Sequence, residues 1–346
     1  MKKYLFYISQ NYSFSILRPI QQVLFNRGDK VSWFFEGDKV NPDYLAENEN
    51  KLDSILQVIE YHADVVIAPA NSIPTFIPGL KVAVFHGFDA GKLDKRGRND
   101  HFKIRGCFDL YCTQGPNTTQ PFKQLQKGHE FFNVIETGWS TLDPLFIFPK
   151  LTKPSTRPLV LFCSTFSKKL SCAKQLLPVV SKLCQSDQWQ WIVQFHPKMD
   201  QHIVDSYKAL QNQNLTFIET DDVIPLLNKA DVMVCDTSSV INMFLLQNKP
   251  VVTFNNIKPG SYLLDITDPD ALEQSIKTAI SRPEALMQHI QEMIKETHPC
   301  TDGKSSQRVV EAIDDVLGGK YPLTKSKPVN LVRNFKFRKR LNYWKF

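Results

Sequence analysis

Short apolar runs alternate along the chain with longer stretches in which apolar and polar residues are mixed. Six runs before residue 140 have the length and composition of buried strands: KYLFYIS, KVSWFFEG, ADVVIAPA, KVAVFHG, DLYCTQG and FNVIETG. Five more follow after residue 158: LVLFCSTFS, QWIVQFHP, LTFIET, DVMVCDTSS and PVVTFNN. Strands that are apolar throughout and separated by helix-length segments are typical of parallel sheets with helices on both faces. The pattern therefore predicts an α/β fold with two Rossmann-like sheets.

The connection between the two sets of strands is basic and rich in proline, FPKLTKPSTRP. A chain of 346 residues suits two domains of about 150 residues each. We predict an N-terminal domain over residues 1–150, a C-terminal domain over 151–319 and a basic, aromatic tail over 320–346. The two domains are expected to face each other across a cleft.

The segments after the last predicted strand have the pattern of helices. These are DALEQSIKTAISRPEALMQHIQEMIKETH and SSQRVVEAIDDVLGG. In the second, Ser305 or Ser306 is the expected N-cap, and Gly318 is expected to end the helix.

Composition narrows the class of protein. The chain is 42% hydrophobic and 22% charged, which is typical of globular proteins. No apolar run approaches the roughly 18 residues that a membrane span needs, and the apolar core of the first residues is too short for a signal peptide. The seven cysteines form no CxxC pair and no metal-ligand spacing. We expect a reduced, cytoplasmic setting without disulfides or a structural metal.

The positive charge of the chain belongs to its last segment. The formal net charge is +7, and residues 320–346 contain nine Lys and Arg and no Asp or Glu. Aromatic residues are interleaved with these cations, which suits an anionic membrane surface. The alternatives are a solvated tail or an electrostatic contact with nucleic acid, and of the three we favour the membrane.

The residues that carry chemistry follow the predicted strands. His86 and Gly87 follow KVAVF, Gly138 follows FNVIET, and His196 follows QWIVQF. A run of Asp236, Thr237, Ser238 and Ser239 follows DVMVC. Ligands of open parallel sheets bind at the carboxyl ends of the strands. Two histidines and three consecutive hydroxyl residues at such positions predict a binding or catalytic site.

Five motifs together resemble the CDP-glycerol glycerophosphotransferases of teichoic-acid and capsule synthesis. They are FHGFDAGK, GWSTLDPLF, VQFHPK, DTSSVINMFLLQNKPVV and DGKSSQRVVEAI, and the resemblance extends from about residue 60 to about residue 316. It implies a GT-B-like fold and the transfer of glycerol phosphate, or ribitol phosphate in related members, from a CDP-linked donor to a hydroxyl with release of CMP. It also implies a peripheral enzyme that acts at the inner membrane face on a glycan or a lipid-linked acceptor.

The hydroxyl run is the predicted site for the donor phosphates. Ser238 and Ser239 stand where a helix should begin, and the N-terminus of a helix attracts phosphate. Their hydroxyls, with that of Thr237, would add hydrogen bonds to charged oxygens. The alternative is simple N-capping by Ser or Thr, and the strand-end position with the two histidines favours phosphate binding.

The two histidines have different expected roles. His86 is predicted to be the general base that takes the proton from the acceptor hydroxyl, because a histidine side chain ordinarily has a pKa near neutrality, which suits that task. The following Gly87 would let the chain turn sharply and a ligand approach closely. His196 is predicted to neutralise charge on the transferred phosphoryl group or on departing CMP. The alternative for His86 is a hydrogen bond to the backbone alone, and the alternative for His196 is a structural cap on the neighbouring loop.

Three further predictions concern residues with a simple structural alternative, and a fourth concerns metals and cofactors. Arg308 would bind the pyrophosphate or form an ion pair with Glu311 or Asp314. Asp236 would accept from the cytidine ribose or brace its turn, and bracing is favoured. Gly87 and Lys92 are candidates for acceptor binding. Lys92, Lys95, Arg96 and Arg98 form a basic loop that could meet a phosphorylated acceptor, and the alternative is a solvated charged face. Phosphoryl transfer often uses Mg²⁺, but no paired carboxylates stand at a strand end, so no metal site and no cofactor are predicted.

Two classes of protein compete with this prediction. A nucleotide-sugar glycosyltransferase or a UDP-sugar epimerase could use the same two-domain scaffold. A non-enzymatic protein that binds membranes or RNA through its basic tail is the other alternative.

Overall fold

The computed structural model describes residues 1–88, 97, 99–147, 157–220 and 222–344. The chain divides into two compact units, one of residues 1–143 with 296–346 and one of residues 144–295. Each unit is built around one parallel sheet.

The first unit contains a seven-stranded sheet with the strand order β3-β2-β1-β4-β5-β6-β7. Its strands are β1 (Lys3–Ile8), β2 (Lys30–Phe35), β3 (Asn50–Leu52), β4 (Val65–Ala68), β5 (Leu80–Val84), β6 (Leu110–Thr113) and β7 (Asn133–Glu136). Every pairing is parallel, for example Lys3 beside Lys30 and Tyr4 beside Val65. All strand ends of one kind therefore lie along one edge.

The second unit contains a six-stranded sheet with the order β10-β9-β8-β11-β12-β13. Its strands are β8 (Leu159–Ser164), β9 (Gln190–Phe195), β10 (Leu215–Phe217), β11 (Val232–Cys235), β12 (Val251–Phe254) and β13 (Leu264–Ile266). These pairings are also parallel. The eleven predicted strands are all present, and the prediction of two parallel α/β sheets is confirmed.

Twelve α-helices are present in the described part of the chain. They are α1 (Ser13–Asn26), α2 (Ile55–Tyr61), α3 (Pro116–His129), α4 (Asp143–Ile147), α5 (Ala173–Leu183), α6 (Gln201–Lys208), α7 (Ile224–Lys229), α8 (Val240–Leu245), α9 (Leu272–Ser281), α10 (Glu284–Thr297), α11 (Ser305–Leu317) and α12 (Leu331–Leu341). The long predicted helix over residues 270–298 is divided into α9 and α10, because Arg282 has a left-handed backbone and Pro283 follows it.

Apolar side chains fill both faces of the first sheet. One cluster contains Leu17, Trp33 and Val82, and the other contains Leu5, Val66 and Phe132. Because both faces of the sheet are buried, its inner strands have apolar residues at nearly every position. In the second unit, one large cluster is centred on strands β8, β9 and β11.

The predicted division at residue 319 is wrong. Helix α11 belongs to the first unit, where it packs against α1 and buries Val309, Val310 and Ile313 in the core cluster that contains β1. Burial of this apolar face in the core of the first unit stabilises the helix in that position.

The last segment is not a separate tail. Residues 320–346 cluster with the first unit, and helix α12 buries Phe337 to 3% exposure. Lys327 forms an ion pair with Asp109 at 2.7 Å, and Asn334 Nδ2 donates to Thr75 Oγ1 at 2.7 Å. These contacts dock the basic segment on the fold.

Candidate functional site

His86 lies at the carboxyl edge of the first sheet, two residues after β5. Its ring is exposed and stacks on Tyr12, with 5.6 Å between the ring centroids. The carbonyl of Phe85 accepts from the indole N–H of Trp139 at 2.7 Å. The ring of Phe85 packs against His101 and Phe122. The main chain before His86 is thus anchored, while the imidazole faces a cavity.

This cavity has a volume of about 510 Å³. It is formed by residues that follow strands β1, β2, β4 and β5, together with one residue of the last helix. The lining consists of Ser9, Gln10, Tyr12, Glu36, Gly37, Asp38, Lys39, Ala70, Asn71, Ser72, His86 and Arg340. Its size is typical of ligand pockets, and most of its lining is polar. We name it the His86 cavity.

The conformational argument for Gly87 is wrong. Gly87 does not have a positive φ, so its backbone does not require glycine. A Cβ atom built there would meet open space, and its carbonyl accepts from Gln114 Nε2 at 3.1 Å. Its role toward an acceptor stays a prediction. Lys92, Lys95, Arg96 and Arg98 lie outside the described residues.

Gly138 has a packing role in the first unit. Its φ is 79°, and a Cβ atom there would collide with Ser305 and Cys300. The next residue, Trp139, donates its main-chain N–H to Nε2 of His298 at 2.8 Å. His298 is fully buried, and this burial lowers its pKa from 6.5 to about 4. His298 is therefore a neutral structural histidine, which the sequence pattern did not reveal.

Asp236 is the centre of a hydrogen-bond network at the carboxyl edge of the second sheet. It follows β11 and is fully buried. Its carboxylate accepts from Ser164 Oγ at 2.6 Å, from the N–H of Thr165 and of Cys172 at 3.1 Å, and from the N–H of Thr237 at 2.7 Å. These bonds join the loop after β8 to the loop after β11. The geometry favours the bracing role over a contact with the donor nucleoside.

The three hydroxyl residues lead from β11 into α8, as predicted. Thr237 Oγ1 accepts from the N–H of Ile257 at 3.1 Å. Ser238 is partly buried and Ser239 is exposed, and neither makes a side-chain cap to N2 or N3 of α8. Helix α8 has only six residues, so its macrodipole is smaller than that of a long helix. Ser238 Oγ does accept from the N–H of Val240, the first residue of α8, at 3.5 Å, whereas Ser239 makes no side-chain cap. The predicted contact of both serines with phosphate stays a prediction.

His196 is exposed at the end of β9 in the same unit. Its Nδ1 accepts from the N–H of Lys198 at 3.1 Å, so a neutral ring carries its proton on Nε2. The ring also contacts Phe166, with 4.6 Å between centroids. Strand β8 separates β9 from β11, which places the ends of β9 and β11 roughly 10 Å apart on one edge.

The N-terminus of α11 is capped by a carboxylate that the sequence did not reveal. The N–H groups of Ser305 and Ser306 donate to the two oxygens of Asp143 at 2.8 and 2.7 Å. The cap position is Lys304, so the predicted N-cap at Ser305 or Ser306 is wrong. The C-cap is Gly318, as predicted.

Arg308 is held by an acidic partner other than the two that were predicted. Its guanidinium makes two hydrogen bonds with Asp302, one of them 3.0 Å long. This pair replaces the predicted pairs with Glu311 or Asp314. Arg308 and Asp302 are both partly exposed in the first unit, and a contact of Arg308 with the donor phosphates stays a prediction.

Metal ligands and cysteines complete the inventory of reactive groups. Within the described ranges, no group of three or more His, Cys, Asp or Glu side chains is arranged to hold a metal ion. The cysteines are unbridged and six of the seven are buried. Burial raises the pKa of the thiols of Cys107 and Cys163, so these two thiols stay protonated near neutral pH.

Residues 180–315 match the family model described as CDP-Glycerol:Poly(glycerophosphate) glycerophosphotransferase. The predicted resemblance to this family is confirmed over these residues, which contain three of the five motifs. The matched range contains His196, the run from Asp236 to Ser239, and Arg308. It also confirms the prediction of a transferase. None of the curated proteins compared with the chain matches it.

Solved structures share the fold at low sequence identity. The wall teichoic acid polymerase TagF aligns with a TM-score of 0.64 and 15% identity, over 93% of this chain and 90% of that one. A protein described as a UDP-N-acetylglucosamine 2-epimerase of Listeria monocytogenes has a TM-score of 0.64 and 13% identity, over 94% and 99%. The UDP-GlcNAc 2-epimerase of Neisseria meningitidis has a TM-score of 0.61 and 12% identity, over 90% and 100%. The prediction of a GT-B-like fold is confirmed.

The structure assigns the predicted residues to two units. His86 lies in the first unit, and His196 shares the second with Asp236, Ser238 and Ser239. That all of them serve one reaction stays a prediction. Of the residues that sequence reasoning missed, Ser164 and Thr165 had a signal, because they too are small hydroxyl residues at the carboxyl end of a strand, the last residue of β8 and the residue after it.

Proposed function

We propose that this protein transfers a polyol phosphate, glycerol phosphate in the first instance, from a CDP-linked donor to a hydroxyl of a glycan or a lipid-linked acceptor. CMP is the other product. The observation that carries the proposal is the family match over residues 180–315, which includes the strand-end loop from Asp236 to Ser239. The likeness to TagF supports the fold on which this reaction would occur.

The donor binds to the second unit in this proposal. The hydroxyls of Ser238 and Ser239 stand in a loop whose shape is maintained by the buried Asp236. Each hydroxyl donates a charge-assisted hydrogen bond to a pyrophosphate oxygen. His196 presents Nε2–H as a further donor, because its Nδ1 is engaged by the main chain. These groups stabilise the negative charge that grows on departing CMP.

The acceptor is activated by His86. Its imidazole takes the proton of the attacking hydroxyl, and the acceptor oxygen forms a bond to the phosphorus that carries the polyol. The bond from this phosphorus to the oxygen of CMP breaks, and CMP leaves with the electron pair. The exposed ring of His86 and its polar cavity support this role.

The test is a product assay with several donors. The full chain is incubated with an acceptor preparation and either CDP-glycerol, CDP-ribitol or UDP-N-acetylglucosamine, and nucleotides are separated by chromatography. CMP release from a CDP-polyol, dependent on the acceptor, is expected. Release of UDP or epimerisation of the UDP-sugar would overturn the proposal in favour of the sugar-nucleotide enzymes, two of which share this fold. No turnover of any donor would favour a binding protein.

We also propose that the protein associates with the cytoplasmic face of a membrane through helix α12. Leu331, Val332 and Phe335 are 75%, 72% and 58% exposed on this helix, and Arg333 and Lys336 lie among them. An apolar face flanked by cations suits an anionic lipid surface. No helix in the described part of the chain has the length and apolarity needed to cross a membrane.

Flotation with vesicles tests this association. Wild type is expected to float with vesicles that contain phosphatidylglycerol and to stay behind with neutral vesicles. The double variant Leu331→Ser/Phe335→Ser should lose flotation, whereas Leu56→Ser, which removes an exposed leucine of α2, should retain it. Equal flotation of both variants would contradict the proposed surface.

A further inference from the structure

The last helix contributes one side chain to the His86 cavity. Arg340, near the end of α12, lines the cavity together with residues that follow four strands of the first sheet. The predicted basic tail is thus part of a cavity wall.

Several contacts hold Arg340 in this position. Its Nη2 forms an ion pair with Glu36, the residue directly after β2. The guanidinium also lies over the ring of Phe337 at 4.7 Å, and Phe337 is buried. Six residues before Arg340 in the same helix, the side chain of Asn334 is hydrogen-bonded to that of Thr75. An arginine held in this way loses little conformational freedom when it binds a ligand.

The two members of the ion pair have different environments. The side chain of Glu36 is 8% exposed, and that of Arg340 is 56% exposed. Burial raises the pKa of Glu36, while the hydroxyl of Tyr7 and the guanidinium of Arg340 oppose this rise. Glu36 therefore acts as a buried anchor. The exposed guanidinium has five N–H donors, and its contact with Glu36 is made through Nη2.

The remaining lining indicates the chemistry of a ligand. Lys39 adds a second cation, and Asp38 is a carboxylate that can accept from hydroxyl groups. Ser9, Gln10, Asn71 and Ser72 add hydroxyl and amide groups, which suit the hydroxyls of a polyol or a sugar. The planar guanidinium matches the oxygens of a phosphate group.

We propose that the His86 cavity binds a polyhydroxylated ligand that carries a phosphate, and that Arg340 of the C-terminal helix recognises this phosphate. The identification of the ligand as the acceptor rests on the proposed function, in which an acceptor built of polyol phosphate presents its hydroxyl to His86. Binding itself does not depend on the reaction. Arg340 is then the residue that selects phosphorylated acceptors over neutral ones.

Calorimetric titration of two probes, glycerol 3-phosphate and glycerol, tests this proposal. Every protein in this titration, including the reference, carries the changes Ser238→Ala and Ser239→Ala. These changes weaken the site proposed for donor phosphates, so that the phosphate of the probe binds there less. Glycerol 3-phosphate is expected to bind more tightly than glycerol. Arg340→Gln should raise the Kd for glycerol 3-phosphate roughly ten- to a hundredfold, as expected for loss of a charge-assisted contact. The Kd for glycerol should stay unchanged. Lys339→Gln removes the same charge from the adjacent exposed position and should change neither.

Three results would overturn the proposal. The first is that glycerol 3-phosphate shows no saturable binding. The second is that Arg340→Gln and Lys339→Gln weaken the binding of glycerol 3-phosphate equally. The third is that the Arg340→Gln protein still binds glycerol 3-phosphate more tightly than glycerol by the wild-type factor. Arg340→Lys retains the charge and should retain part of the preference, and thermal melting of each variant reports whether α12 stays docked. The titration contains no CDP-linked donor, so its result is separable from failure of the proposed transfer reaction, which the product assay reports.

Discussion

The main-chain N–H of Trp139 donates to Nε2 of the buried His298 at 2.8 Å. The indole N–H of the same tryptophan donates to the carbonyl of Phe85, next to His86. A neutral histidine on the C-terminal part of the chain thus supports the loop that carries the proposed base. The arrangement requires His298 to remain unprotonated, because a protonated Nε2 cannot accept.

The free energy of unfolding of the first unit should decrease as the pH is lowered, because His298 is buried in its neutral form. The pKa of His298 is about 4 in the folded protein and 6.5 as a reference for the unfolded chain. Between pH 6.5 and pH 4 the unfolded state binds a proton that the folded state does not. The stabilising contribution of neutral His298 is therefore complete above pH 6.5 and is lost as the pH falls toward 4. The expected loss is about 3 kcal/mol over this range.

Denaturant titrations between pH 7 and pH 4 measure this dependence. At pH 7 the His298→Gln protein should be less stable than wild type. It should lack this part of the pH dependence, so the difference in free energy of unfolding between the variant and wild type should become smaller as the pH falls. His129→Gln, at an exposed position of the same unit, should follow the wild-type curve. A constant difference between His298→Gln and wild type would contradict the assignment.

Asp236→Ala should destabilise the second unit strongly. The change leaves four donors without their acceptor, including the N–H groups of Thr165 and Thr237. Each buried donor without a partner costs about 1–3 kcal/mol. Because relaxation of the loops reduces the sum, we expect the free energy of unfolding to fall by on the order of 3 kcal/mol or more. Hydrogen exchange of residues 157–295, with denaturant unfolding, locates the effect. Asp205→Ala on α6 should have little effect, and equal effects would refute the bracing role.

The double variant Ser238→Ala/Ser239→Ala should weaken donor binding. Removal of two hydroxyl donors to a charged phosphate should raise the Kd for CDP-glycerol roughly tenfold or more. Calorimetry with the unreacted donor measures this constant without acceptor. Ser206→Ala, on α6 of the same unit, is the control and should retain wild-type affinity. Unchanged affinity in the double variant would remove the hydroxyl run from the donor site.

His86→Ala should abolish transfer while the donor remains bound. Loss of a general base lowers kcat roughly 10²- to 10⁴-fold, whereas the donor contacts proposed here lie in the second unit. CMP release measures the rate, and titration with CDP-glycerol measures binding. His62→Ala, at another exposed position of the first unit, should keep full activity. A His86→Ala protein that turns over at the wild-type rate would exclude His86 as the base.

Strands were the elements that could be predicted best. Strands β1, β2 and β8 are buried on both faces, so each is a continuous apolar run that the chain displays locally. The two strands that were missed, β3 and β13, have three residues each and lie at sheet edges. Their residues NKL and LDI form no apolar run, because an edge strand pairs on one side and needs little burial.

Residues at strand ends could also be predicted, since a parallel sheet brings like ends to one edge. This logic placed His86, His196 and Asp236 at the carboxyl edges of their sheets. It did not find the carboxylate of Asp143 at α11, 162 positions away along the chain, or the pairing of Glu36 with Arg340.

The sequence by itself determined two parallel sheets, the positions of their strands and the polar residues that leave them, because periodicity and burial are local properties of a chain. Only the tertiary structure decided that α11 and the basic segment return to the first unit, that His298 is buried and neutral, and that Arg340 reaches the His86 cavity. The physical reason is that each of these depends on a partner far away in sequence. Burial of an apolar face or pairing of a buried charge selects that partner, and nothing in the neighbouring residues encodes which one it is.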